Sequence, residues 1–212
     1  MEWDIGVEKP RFPFSKTTEM KKYSKYIFLA ASLILLAVFT APIWQITLEA
    51  PQYPDGVTMY IWINKISGDT PGTLQNINIL NHYVGMKMIE PESIPELKFF
   101  PIVIIAMSAI GVAFAFVNNH KFWLAWLITM VVLGALGIYD FYLWEYDYGH
   151  NLAPDAPIKI PGMAYQPPLL GSKMLLNFNA TSLPYIGSIF LALSMLLAGV
   201  AWWTRKLSLA TT

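Results

Sequence analysis

FWLAWLITMVVLGALGIYDFYLW (122–144) is long enough to cross a bilayer, which takes about 20 residues of helix, and its one charged residue is Asp140. Runs of similar character occupy 24–46, 99–117 and 184–203. The chain of 212 residues is 55% hydrophobic and 13% charged, about half the charge share of a soluble domain. These features predict an all-α membrane protein of four transmembrane helices. The remaining segments are a tail (1–23), a long connection (47–98), a tight link (118–121), a second long connection (145–183) and a short tail (204–212).

Equal numbers of basic and acidic residues, 14 of each, leave no bulk charge to attract nucleic acid. The absence of cysteine excludes disulfides, thiolate metal sites, iron–sulfur clusters and c-type haem attachment. No pair of histidines lies within the apolar runs, so a b-type haem bundle is not expected. Gly-rich phosphate loops, Gly-x-Ser-x-Gly and His-Glu-x-x-His are also missing, so a hydrolase or an ATPase has no visible machinery.

Lys9, Arg11, Lys16, Lys21, Lys22 and Lys25 precede the first run. That run is too long for the apolar region of a cleaved signal, and Pro42 follows Ala41 where cleavage would be sought, so the segment reads as a retained anchor. Inside basic residues concentrate on one side. With the N-terminus inside, the inner segments hold these six, Lys121, Arg205 and Lys206; the much longer outer connections hold Lys65, Lys87, Lys98, Lys159 and Lys173. Both termini are thereby expected in the cytoplasm, and both connections on the outer side of the membrane, ordered and packed on each other.

Within the first connection, MYIWI (59–63) reads as a short strand or interfacial segment and SGDTPG (67–72) as a turn. In TLQNINILNHYVG (73–85), Leu74, Ile77, Leu80 and Val84 recur at three- and four-residue steps. Thr73 can cap the start of a helix and Gly85 its end. The expectation is an amphipathic helix over 73–85 lying on the membrane, apolar face down. Small residues at helical spacing (Gly111 and Ala115, Gly134 and Gly137, Ser194 and Ala198) would let the spans approach closely.

Three constellations could carry chemistry. On a helix, His82 and Met86 lie one turn apart, with Met88 nearby; imidazole and thioether suit copper, and thioethers select Cu(I). Core methionines and hydrogen-bonded histidines are the alternative. The stretch YDFYLWEYDYGH (139–150) gathers Asp140, Glu145, Asp147 and His150. Asp140 is set about a turn inside the outer edge, where a carboxylate is a functional candidate unless it reaches water or a hydrogen-bonding neighbour. The turn at Pro161 and Gly162 would present Met163 as a third ligand or a docking peg. The candidate metal ligands are His82, Met86, Met88, His150 and Met163; Asn81, Asp140, Glu145 and Asp147 are candidates to orient them or to pass protons.

LNHYVGM (80–86) and WEYDYGHNLAPDAPIKIPGMAYQPPLLGSK (144–173) resemble a family of small four-helix membrane proteins. In Bacteroidetes-like bacteria these accompany the genes for nitrous-oxide reductase and its copper-insertion lipoprotein. The resemblance is best over about 76–183. It implies copper supply to, or assembly of, a periplasmic copper enzyme; it assigns no residue a role. The alternatives are a metal-free structural or docking subunit of a membrane complex, and a proton-conducting or oxidoreductase subunit that uses Asp140.

Overall fold

A computed structural model describes residues 14–117 and 119–210. Residues 1–13, with Lys9 and Arg11 of the basic cluster, Asn118 of the link and residues 211–212 lie outside the described residues. Among the described residues, four helices are long and apolar enough to cross a membrane, over Lys22–Thr40, Glu96–Phe116, His120–His150 and Ile186–Leu209. They belong to α1 (Phe14–Ile34, continued by a 3-10 segment Leu35–Thr40), α3 (Glu96–Phe116), α4 (His120–His150) and α5 (Ile186–Ala210). The shorter α2 spans Thr73–Val84.

The chain is not all-α. Five strands, β1 (Trp44–Ala50), β2 (Tyr53–Ile61), β3 (Ile66–Gly68), β4 (Gly171–Leu175) and β5 (Phe178–Pro184), form one antiparallel sheet in the order β3-β2-β1-β5-β4. The central pairing joins β1 to β5, from Trp44 opposite Pro184 to Glu49 opposite Asn179. The two long connections therefore build one cap on the same side of the bundle. The first span is also shorter than 24–46, because the helical chain ends at Thr40 and β1 starts at Trp44. The sequence WQITLEA explains the switch: Ile46, Leu48 and Ala50 alternate with polar residues, the period of a strand with one buried face.

Helix packing in the bundle rests on close approach and on polar groups that reach across helices, since lipid supplies no hydrophobic drive between them. Ser108 Oγ donates to Ser32 O at 2.8 Å, and Ser194 Oγ donates to Ala31 O at 2.8 Å. A Cβ added to Gly111 would meet Ser32 Oγ at 2.4 Å, so α1 and α3 touch there because the side chain is absent. Phe28 of α1 stacks on Trp123, centroids 4.8 Å apart, and meets Trp126 edge-on at 5.5 Å. Both indoles donate to α3 carbonyls, those of Phe114 and Met107, at 2.8 Å. Gly134 and Gly137 do not serve such packing, because an added Cβ at either would meet nothing within 4 Å.

In the cap, α2 buries Thr73, Ile77, Asn81 and Val84. Ile77 joins Ile46, Leu48, Val57 and Met59 of the sheet in a second apolar core, together with Tyr148 from the end of α4. The apolar face of α2 thus packs on the sheet rather than on lipid. Gly85, at φ 81°, ends the helix in the left-handed conformation. The start of α2 is pinned by Asp69, whose carboxylate accepts from Thr73 Oγ1 at 2.5 Å and from the Thr70 and Thr58 amides at 2.8 and 3.2 Å. Burial alone would raise this carboxyl, but these hydrogen bonds outweigh it and hold Asp69 below its ordinary value.

Candidate functional site

α4 has 31 residues, about 46 Å at 1.5 Å per residue, against a hydrocarbon core of about 30 Å. Its last turns leave the bundle and enter the cap. Trp144, Glu145 and Tyr148 there meet the sheet, α2 and the loop after α4 around a cavity of about 50 Å³. The wall is mostly apolar: Ile46, Leu48 and Met59 from the sheet, Ile77 and Val84 from α2, then Ile89 and Leu175. Set into it are Asn81, Met86, Glu145, Tyr148 and Tyr165.

The two motifs 80–86 and 144–173 build this site by folding against each other. The Ala153 amide donates to Gly85 O at 2.7 Å and Ile158 to Tyr83 O at 2.9 Å, while within the second motif Tyr165 donates to Gly149 O at 2.9 Å. Glycine is required at the contacts. A Cβ at Gly149 would meet Gln166 N and Cα at 2.4 Å, and one at Gly85 would meet Ala156 Cβ at 2.8 Å. Lys87 pairs with Asp147 at 2.5 Å across the same seam, and Asn151 Nδ2 donates to that carboxylate. Tyr148 donates to Met88 O at 3.2 Å, and Asn81 Nδ2 donates to Lys87 O at 3.2 Å.

Glu145 is fully buried, and neither carboxylate oxygen has a hydrogen-bond partner. The Tyr165 hydroxyl, in a side chain 1% exposed, also has none. Among the described residues only Trp202 Nε1 shares this condition, so the unsatisfied buried oxygens all belong to one cavity. A carboxyl buried without a partner either carries a proton or meets a cation, since an isolated charge in an apolar setting is costly. Water alone needs about 10–15 Å³ of such volume per molecule, so the space admits a small ion or a few waters.

No protein-family model, no curated protein and no solved structure matches this chain.

Of the sequence candidates, Asn81, Met86 and Glu145 come together at the cavity. His82 does not; it is exposed beside Tyr83, ring centroids 6.3 Å apart. His150 is exposed too, stacked on Tyr146 at 3.9 Å with Nδ1 3.0 Å from Tyr146 O. Because α2 stops at Val84, Met86 lies beyond the helix, half-buried against the sheet core, and the one-turn pairing with His82 is lost. Met88 is 55% exposed. Met163 follows the expected turn, its amide donating to Ile160 O at 3.1 Å, but it does not line the cavity. Asp147 is committed to Lys87 and Asn151, and Asp140 lines a separate groove in the bundle. No group of three or more His, Asp and Glu side chains among the described residues is arranged to hold a metal ion. Tyr165 was not legible as a site residue. It sits between the Met163 turn and Pro167, and nothing in its spacing marks the hydroxyl as unpaired.

Proposed function

We propose that this protein is a non-enzymatic membrane accessory protein that holds one cation in the cap cavity and passes it to a periplasmic partner. Glu145 is the anionic ligand, with the Met86 thioether and the Tyr165 oxygen beside it. The observation that carries this reading is the fully buried Glu145 carboxyl with both oxygens unpaired. A cation there offsets the cost of burying the charge. The thioether favours copper in its Cu(I) state over hard cations, in keeping with the resemblance to proteins that accompany nitrous-oxide reductase. One carboxylate and one thioether without thiolate make a holding site that can release its ion. His82, His150 and Met163 are left out of it, because they line no part of the cavity. The basic-residue asymmetry supports a periplasmic cap, with both termini in the cytoplasm of a bacterial cell.

The test is equilibrium dialysis of the purified protein against Cu(I) under reducing conditions, beside Met86→Leu. The native chain is expected to retain copper, and Met86→Leu to lose the preference for Cu(I) over a hard monovalent cation such as potassium. Native protein that retains no copper would overturn the copper reading, and an unchanged preference in Met86→Leu would remove the thioether from the site.

A further inference from the structure

A second cavity, of about 850 Å³, lies inside the bundle where α4 stands away from α3 and α5 beneath the sheet. Phe100 and Ile104 of α3, Leu191 and Met195 of α5, and Phe141 of α4 give it apolar walls. Its volume falls in the range of ligand sites, which are apolar with a few placed polar groups. Its polarity is concentrated at the cap end in two carboxylates, Glu96 in the first turn of α3 and Asp140 on α4. Among the described residues no Lys, Arg or His lines it, and neither carboxylate forms an ion pair. The tryptophans of its ceiling have already spent their donors, Trp44 Nε1 on Ser182 Oγ at 2.7 Å and Trp62 Nε1 on Ser67 Oγ at 2.9 Å. Ser188 Oγ donates to Tyr185 O at 2.6 Å. Whatever fills the groove must therefore bring apolar bulk and, at the cap end only, positive charge with hydrogen-bond donors.

The depth fits one leaflet. From Asp140 down to Met130, the deepest α4 residue of the lining, the helix rises about 15 Å, half of a hydrocarbon core of about 30 Å. A partner helix would need the full thickness. We infer that the groove binds a single phospholipid of the cap-side leaflet with a primary-ammonium head, its chains between α3, α4 and α5 and its head on Glu96 and Asp140. This site shares the Trp144 wall with the cap cavity but none of the residues assigned to the cation.

The test is native mass spectrometry of the protein released from nanodiscs of equal parts phosphatidylethanolamine, phosphatidylcholine and phosphatidylglycerol. The retained lipid should be enriched in phosphatidylethanolamine over phosphatidylcholine by about tenfold, the worth of one charge-assisted hydrogen bond that a quaternary head cannot make. The Glu96→Gln/Asp140→Asn double variant should still retain lipid, with that ratio fallen to the nanodisc's own. Gly134→Trp, placed where an added side chain meets open space, should lose the retained lipid. Native protein that holds phosphatidylcholine equally well, a double variant that keeps the enrichment, or the recovery of a polypeptide or a quinone in place of lipid would overturn the proposal.

Discussion

The Lys87 ammonium meets the Asp147 carboxylate at 2.5 Å, joining the segment after α2 to the last turn of α4. The pair lies on the outer side of the seam that encloses Glu145. Its side chains are 50% and 40% exposed, so solvent screens it and the seam depends on packing instead. Lys87→Ala or Asp147→Asn should shift cap stability by less than about 1 kcal/mol. Thermal unfolding at low and high salt checks this; a loss of several kcal/mol would give the pair a role that its exposure argues against.

Gly149 should tolerate no side chain. A Cβ there would stand 2.4 Å from Gln166 N and Cα, and backbone cannot yield as a flexible side chain can. Gly149→Ala is expected to cost about 1–3 kcal/mol and to open the cap to limited proteolysis at Lys159. Gly137→Ala meets open space and should leave the cap protected. Equal protease resistance in the two variants would contradict the packing described for the seam.

The start of α2 should be acid-sensitive. Asp69 is held below its ordinary value by hydrogen bonds from Thr73, Thr58 and Thr70 that outweigh burial. A carboxyl lowered in the folded state contributes stability that is present above its unfolded value of about 4 and is lost as pH falls through the lower folded value. The cap should therefore weaken below about pH 4, and Asp69→Asn should flatten that part of the profile. Thermal unfolding across pH 3 to 7 follows it; an acid limb as steep in Asp69→Asn as in the native protein would assign the loss elsewhere.

The spans were legible because length and apolar content decide them, and 122–144 carries one charge in a bilayer's length of helix. The helix over 73–85 was legible from its spacing and from Gly85. MYIWI was legible as a candidate strand, and its first three residues fall in β2; the sheet as a whole was not, since its central pairing sets Trp44 opposite Pro184, a register that no local pattern encodes. β1 also follows directly on an apolar span, which hid its two-residue period. Glu145 was legible as polar and near the site, but its burial depends on the sheet that covers it. His82 and His150 are ligand types by chemistry, but the fold leaves both exposed.

Topology has a direct check. Single cysteines at Ser67 and Ser172, in strands of the cap, should react with an impermeant thiol reagent in intact cells, and one at Asn119 in the link between α3 and α4 should not. Labelling at Asn119 alone would reverse the orientation proposed from the basic residues.

Glu145 is proposed to be kept unpaired for a cation. If so, removing its charge should cost binding and not folding, because relieving an uncompensated buried carboxyl is neutral or stabilising. The decisive measurement is copper stoichiometry of the native protein and of Glu145→Gln, purified identically under reducing conditions, with metal-free melting temperatures alongside. About one copper per native chain, little or none in Glu145→Gln, and a melting temperature at least as high in the variant are the results expected of a single carboxylate-anchored ion. Undiminished copper in a folded Glu145→Gln protein would contradict the account.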